Sequence, residues 1–420
     1  MPVRLEQLPS ADADGNNASP MRPNAGERNL DGMRHLNADK LRAIFVTGSL
    51  SHGGAERHAI TVMNRLTQRR HECHAVYVKN SAGGLVDRLR GVETVQCLNA
   101  TGYFDMRAVD RLASHISSIS PSVIVAANPY ALMYSWLALR LSHLSVPLVV
   151  TYHSTRLLGM KERLQMMMYR LFFWTSDCSI FVCARQKRHW MRRGAFSRRN
   201  EVIYNGVDTD EFRDDCNAKK RRRLRSRFGF RDSDYVIGIS ALLRPEKNHV
   251  QLVDAVAKLH GLGIPARILM IGDGEMRETI EARARELKVG SDIVITGLQQ
   301  DVRPCITACD VMVLCSVTEA FSLAAIEAMA LGKPVVHSDV GGAAEMIFPG
   351  QNGFLFPVGN TNALVDKLAV LADGAVARRM GNNAREVVET HFSEKTMVDR
   401  YEKVLLDICG KRSSAEALIY

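Results

Sequence analysis

The chain has 420 residues, 46% apolar and 24% charged, with a formal net charge of +10. That length exceeds one ordinary domain of roughly 100–200 residues, and the apolar share excludes a disordered chain. No uninterrupted apolar run reaches the length of about 18 residues that a membrane span needs: the stretch from Val123 to Val150 is broken by Asn128, Pro129, Arg140 and His143.

Residues 1–40 are rich in Asn, Asp, Ala, Pro and Gly without periodicity and read as a flexible tail. They lack the basic start and apolar core of a secretory signal, so the nine scattered cysteines predict reduced thiols in a cytoplasm. Neither Cys305 with Cys309 nor His71, Cys73 and His74 has four-ligand metal spacing, so no metal site is expected.

The first domain, 41–210, opens with the strand "LRAIFVTGS" and a turn at Gly53-Gly54. A helix follows, with apolar residues at Ile60, Met63 and Leu66; Arg57 and His58 are read as its solvent-facing residues. Strand-like runs "CHAVYV", "VIVAA", "PLVVTYH", "CSIFVC" and "EVIYN" alternate with helical stretches, the pattern of a parallel sheet covered on both faces. Asn205-Gly206 marks a turn, and residues 211–232, with "KKRRRLRSRFGFR", read as a basic linker. A second strand–helix series, "YVIGISAL", "ARILMIG", "DIVITG", "DVMVLC" and "KPVVHS", builds a domain over 233–392. A helix over 393–410, expected to pack back toward the first domain, and a tail at 411–420 complete the chain. The fold class is α/β, with two doubly wound Rossmann-like domains and a ligand cleft between the carboxyl ends of their strands.

The charge is uneven. From Arg156 to Arg231 there are 20 Lys and Arg against eight Asp and Glu, a net of +12, leaving −2 for the rest. Cations interleaved with Met, Leu, Phe and Trp in "MKERLQMMMYRLFFW" suit an anionic membrane surface, with a solvated basic face over a Met-rich core as the alternative. Nonspecific nucleic-acid binding is the rival reading of the charge, but no recognition motif accompanies it.

The stretch "SVTEAFSLAAIEAMALGKPVV" places two carboxylates, Glu319 and Glu327, around a helix start that follows a buried strand. The backbone amides of Phe321, Ser322 and Leu323 then stand free at the positive end of the helix, where a phosphate binds well. Eight residues of regular helix rise about 12 Å, enough for a nucleotide sugar across the helix mouth. The plainer alternative has Glu319 capping the helix and Glu327 solvated or paired with Lys333.

Around these residues the sequence resembles the retaining GT-B glycosyltransferases of family 4, group 1. The resemblance rests on Glu319 and Glu327 with seven residues between them, on Gly332-Lys333-Pro334-Val335-Val336, and on "VIYNGVDTDEF" and "LRPEKNHVQLVDAV". It implies a GT-B fold and net-retaining, metal-independent transfer of a hexose from a UDP- or GDP-linked donor to a hydroxyl of a glycan or lipid-linked glycan. It further implies that Glu327 holds the ribose and Glu319 the donor sugar. The amides of 321–323, Gly53, Gly54 and Lys247 then surround the diphosphate, and His153 lies near the reacting sugar. The family often has Gly where Ala320 and Ser322 stand. A second family cation is replaced by Leu242; Arg244 either compensates by reaching around the loop or is a surface cation. No cofactor beyond the donor is implied. A catalytically weak relative acting as a partner subunit is the alternative, against which Glu319, Glu327 and Lys247 argue. "GDG" at Gly272 to Gly274 reads as a turn.

Overall fold

The structure, a computed structural model, describes residues 40–50, 54–80, 85–153, 160–213 and 218–416, with side chains at 160–163 and 411–416 left aside. The tail expected before residue 40 and the site residue Gly53 lie outside the described residues.

In the first half, β1 (Arg42–Thr47), α1 (Gly54–Gln68), β2 (Glu72–Tyr77), β3 (Thr94–Cys97), α2 (Met106–Ile119), β4 (Val123–Ala126) and α3 (Pro129–Ser142) follow in order. They are joined by β5 (Leu148–Tyr152), α4 (Met160–Thr175), β6 (Cys178–Phe181), α5 (Ala184–Met191) and β7 (Arg199–Val202). The seven strands are parallel in the order β3-β2-β1-β4-β5-β6-β7. The central strands are apolar without alternation because both faces are covered: β4 and β5 have every residue buried.

The second half starts before its first strand. α6 (Ala218–Arg227) lies where the sequence reads as a linker. Two of its cations are drawn inward while Lys219, Lys220, Arg222, Arg223 and Arg227 stay exposed: Arg225 is buried and donates to Ala308 O (3.0 Å) and Asp310 Oδ2 (2.6 Å), and Arg221 also pairs with Asp310. Then come β8 (Tyr235–Ser240), α7 (His249–Gly261), β9 (Ala266–Ile271), α8 (Arg277–Glu286), β10 (Ile293–Ile295), α9 (Arg303–Ala308) and β11 (Val311–Leu314). α10 (Leu323–Ala330), β12 (Val335–Ser338), α11 (Ala343–Met346), β13 (Gly353–Phe356), α12 (Thr361–Leu371), α13 (Gly374–His391) and α14 (Glu394–Glu416) complete it. Six parallel strands lie in the order β10-β9-β8-β11-β12-β13.

In both sheets the order reverses beside the first strand, at β1/β4 and at β8/β11. Loops leaving the carboxyl ends of such strands diverge and open a crevice. Two polypeptide crossings join the halves, and they are hydrogen-bonded to each other: Val207 N donates to Phe392 O (3.0 Å) and Glu394 N to Val207 O (2.8 Å). Gly206 is required there, since a Cβ would stand 2.6 Å from Ser393 O. After this crossing α14 returns to the first half and runs to Glu416, past the end that the sequence suggests. Its Met397, Val398, Tyr401, Val404, Leu405 and Ile408 share a core with β1 and α1.

Candidate functional site

The β8/β11 switch point brings two loops together. The loop after β8 turns through a 3₁₀ segment, Pro245–Lys247, and the loop after β11 carries Glu319. They are tied by Val317 N donating to Glu246 O at 2.9 Å. Across this junction Lys247 Nζ lies 2.5 Å from Glu319 Oε2, with the two side chains 24% and 18% exposed. Ser316 Oγ donates to the same carboxylate oxygen at 3.4 Å.

The Gly272–Gly274 turn buttresses the Lys247 loop from below. A Cβ on Gly272 would stand 2.0 Å from Ala241 O, and one on Gly274 2.6 Å from Leu243 O. A second glycine pair does the same for the Glu319 loop. Gly341, with φ +52°, would bring a Cβ to 2.2 Å from Glu319 O, and one on Gly342 would come 2.7 Å from a ring carbon of Phe321. Gly342 N donates to Ala320 O at 2.7 Å.

Glu319 does not cap α10. Ser322 does, its Oγ accepting from Ala325 N at 3.3 Å. The amides of Phe321, Ser322 and Leu323 donate to no acceptor among the described residues, so the first turn of α10 presents unsatisfied N–H groups. The Phe321 side chain points into the interdomain core, its ring 5.4 Å from Tyr204 and 5.3 Å from Phe392, and Asn205 Nδ2 donates to its carbonyl at 3.3 Å. Phe321 is thus buried, its ring joining the halves.

Glu327 sits one turn inside α10 and is partly buried. Burial raises its pKa above the ordinary carboxylate value, while the charge of Arg57 acts in the opposite sense. Arg57 lies in the first turn of α1, and the two helix starts meet: a Cβ on Gly54 would lie 3.9 Å from Leu323 Cδ1. Arg244 is exposed, and its guanidinium has no carboxylate partner among the described residues. Leu242 is exposed beside it.

His153 follows β5 and is partly exposed at the same end of its sheet. Burial holds its pKa down at about 4, so the ring is neutral near pH 7. Behind it lies His58, which the periodicity of α1 places on the surface and the structure buries at 6% exposure. The cause is non-local: α14 covers the α1 face that carries His58. Sequence reasoning also missed Glu345, whose carboxylate accepts from Ala184 N (2.8 Å), Arg185 N (2.7 Å) and the Tyr204 hydroxyl (3.0 Å) across the two halves.

Lys247 and Glu319 therefore meet at the β8/β11 switch point; Arg244 lies on the Lys247 loop, Glu327 and the amides of 321–323 follow Glu319 into α10, and Gly54, at the start of α1, and His153 lie at the carboxyl end of the first sheet. Comparison with known proteins gives a family for the chain. Residues 52–211 match the model of Glycosyltransferase Family 4, and residues 220–387 that of Glycosyl transferases group 1. The chain belongs to the family 4, group 1 glycosyltransferases. It is 30% identical over 209 residues to N-acetyl-alpha-D-glucosaminyl L-malate synthase of Bacillus anthracis, spanning 50% of this chain and 54% of that relative. It is 24% identical over 211 residues to the UDP-Gal:alpha-D-GlcNAc-diphosphoundecaprenol alpha-1,3-galactosyltransferase of Escherichia coli, spanning 49% and 54%. The chain thus spans about half the length of these relatives. Among solved structures, this family 4 chain resembles Anabaena Alr3699/HepE in complex with UDP, with a TM-score of 0.78 at 21% identity over 87% of this chain and 99% of that one. The same Anabaena protein in complex with UDP-glucose gives 0.74. The likeness establishes the GT-B fold.

Proposed function

We propose that the chain is a retaining, metal-independent glycosyltransferase that moves a hexose from a UDP- or GDP-linked donor to a hydroxyl of a glycan or lipid-linked glycan. The observation that carries this reading is the Lys247–Glu319 pair on the loop that leads into the first turn of α10, whose amides at 321–323 donate to no acceptor among the described residues. An entering nucleotide sugar separates the pair: the diphosphate takes the ammonium, Arg244 and the amides of 321–323, and the sugar hydroxyls take the Glu319 carboxylate, which as an ion accepts only. Glu327 accepts from the ribose. As the bond from the anomeric carbon to the phosphate oxygen lengthens, negative charge grows on the leaving diphosphate, and Lys247 stabilises it more than in the ground state. Neutral His153 faces the sugar, and Gly54 covers the phosphates. The acceptor hydroxyl attacks from the face the diphosphate leaves and gives its proton to a phosphate oxygen, which retains the anomeric configuration.

A melting-temperature panel of nucleotides and nucleotide sugars tests this directly, because a ligand that binds only the folded state raises the melting temperature. A shift with UDP, GDP or their sugars, followed by transfer to a glycan acceptor, is the expected result. No shift with any of them overturns the reading.

We further infer that the acceptor is met at an anionic membrane surface. On α4, Leu164, Met167, Met168, Leu171 and Trp174 lie along one helical face and are exposed, Met168 and Leu171 at 60% each, while Met166, Tyr169 and Phe173 face the core. Trp174 Nε1 donates to Gly194 O at 2.9 Å, which sets exposed Met191 and Phe196 beside this ridge. Exposed Arg188, Arg192 and Arg193 flank it. The basic face is thus narrower than 156–231, because Arg221 and Arg225 are spent on Asp310. No helix among the described residues is long and apolar enough to cross a membrane, which leaves docking as the mode. Flotation with anionic but not neutral vesicles, lost in a Met168→Ser/Leu171→Ser variant, is expected. Equal flotation with both lipids ends the idea.

A further inference from the structure

His58 and Tyr401 pack ring against ring in the core, and each carries a buried polar atom that packing does not explain. The His58 ring stands 4.7 Å from that of His153, edge to face, and 5.2 Å from that of Tyr401 on its other side. His58 Nε2 and the Tyr401 hydroxyl are both buried with no hydrogen-bond partner among the described residues. Each such orphan costs about 1–3 kcal/mol, and an apolar side chain in either place would avoid that cost. Polar atoms left without a protein partner in a core call for an explanation, and a functional role is one. Here they form a file of three rings that ends at the one group of the first sheet assigned to the reacting sugar. Its other end is α14, the helix that has just crossed from the second half.

We propose that His58 is a positioning residue whose imidazole, packed between the rings of Tyr401 and His153, fixes the orientation of His153 toward the cleft. Through this file the seating of α14 on the first sheet sets the alignment of the reacting groups. The inference rests on the reading of His153 given above. The polar edge of His58, not its bulk, does the orienting: two neutral imidazoles at this distance align their ring dipoles, which a benzene ring cannot match.

The test uses the full chain with His58→Phe, whose ring is larger than the imidazole, and Tyr401→Phe, which removes only the hydroxyl. The melting temperature of Tyr401→Phe is expected to equal or exceed that of the wild type. For the nucleotide sugar chosen by the melting panel, hydrolysis to nucleoside diphosphate and free sugar needs only water as co-substrate. His58→Phe is expected to lower its kcat about tenfold, or about 1.4 kcal/mol, with KM within twofold, and Tyr401→Phe to lower kcat about threefold. In a His153→Ala background His58→Phe should add nothing. A readout free of substrate is the imidazole nitrogen spectrum of histidine-labelled protein, where His153 should pass from one tautomer to a mixture in His58→Phe. An unchanged tautomer and unchanged kcat in His58→Phe overturn the proposal while leaving His153 in its role. A wild-type kcat in His153→Ala removes that role first, and the proposal with it.

Discussion

Replacing Glu319 by Gln should tighten the binding of a bare nucleoside diphosphate while abolishing transfer. The Lys247 ammonium lies 2.5 Å from the carboxylate, and on the proposed reading a diphosphate displaces it. A fully exposed pair is worth roughly 0.2–1 kcal/mol and breaking a buried one costs roughly 3–5 kcal/mol. With side chains 24% and 18% exposed, this pair falls between them, and solvent screening places it near 1–2 kcal/mol. Removing that competition should lower the Kd of UDP or GDP about 5–30-fold. Titration calorimetry at constant ionic strength measures it. The Lys247→Ala variant is the control: it should weaken the same nucleotide and cut kcat by about 10²–10³, the scale for losing one donor to a developing anion. A Glu319→Gln Kd within twofold of the wild type would refute the idea that the pair opens for the diphosphate. So would a Kd that rises.

Gly341→Ala should displace residues 319–321, because its Cβ would fall 2.2 Å from Glu319 O at φ +52°; nucleotide binding and melting temperature should both drop. Gly350→Ala, at φ +80° with open space around it, should cost only the left-handed backbone term of about 1–2 kcal/mol, and equal losses in the two variants would contradict the loop argument. Stability should fall as pH is lowered from about 6.5 to about 4. Burial holds His153 and His249 near 4 and His58 and His337 below the ordinary 6.5, so the unfolded chain binds more protons across that window and the stability present above it is lost on the way down. A melting temperature flat from pH 7 to about 4.5 would dispose of this. Glu345→Ala strips acceptors from the amides of Ala184 and Arg185 and from the Tyr204 hydroxyl, and should lower the melting temperature and widen the solution scattering envelope; superposable scattering curves would count against the clasp.

The candidate site of the second sheet is legible as a pattern because its signals are local. Glu319, Glu327 and the start of α10 fall within a dozen residues, and strand-then-helix composition places them at a carboxyl end. What the sequence hid depends on distant partners. His58 reads as solvent-facing because Ile60, Met63 and Leu66 define the apolar stripe of α1, and only α14 supplies a second cover. The arginines of α6 read as a linker until Asp310 is brought beneath them. Glu345 carries no mark at all, since its amide partners belong to the other half. The glycines at 341 and 342 were visible as letters, but the carbonyls that they admit were not.

The paired crossing at Val207 and Ser393 has a consequence for dissection of the molecule. Cutting the chain after the first sheet yields a fragment whose β1 and α1 lose the lid of Met397, Tyr401 and Leu405, leaving an oily scar; the complementary fragment carries that lid with nothing to cover. Neither piece inherits a finished interior. Engineers seeking to swap halves between relatives should therefore graft the terminal helix together with the leading segment, treating the two as a single cassette despite their separation in sequence.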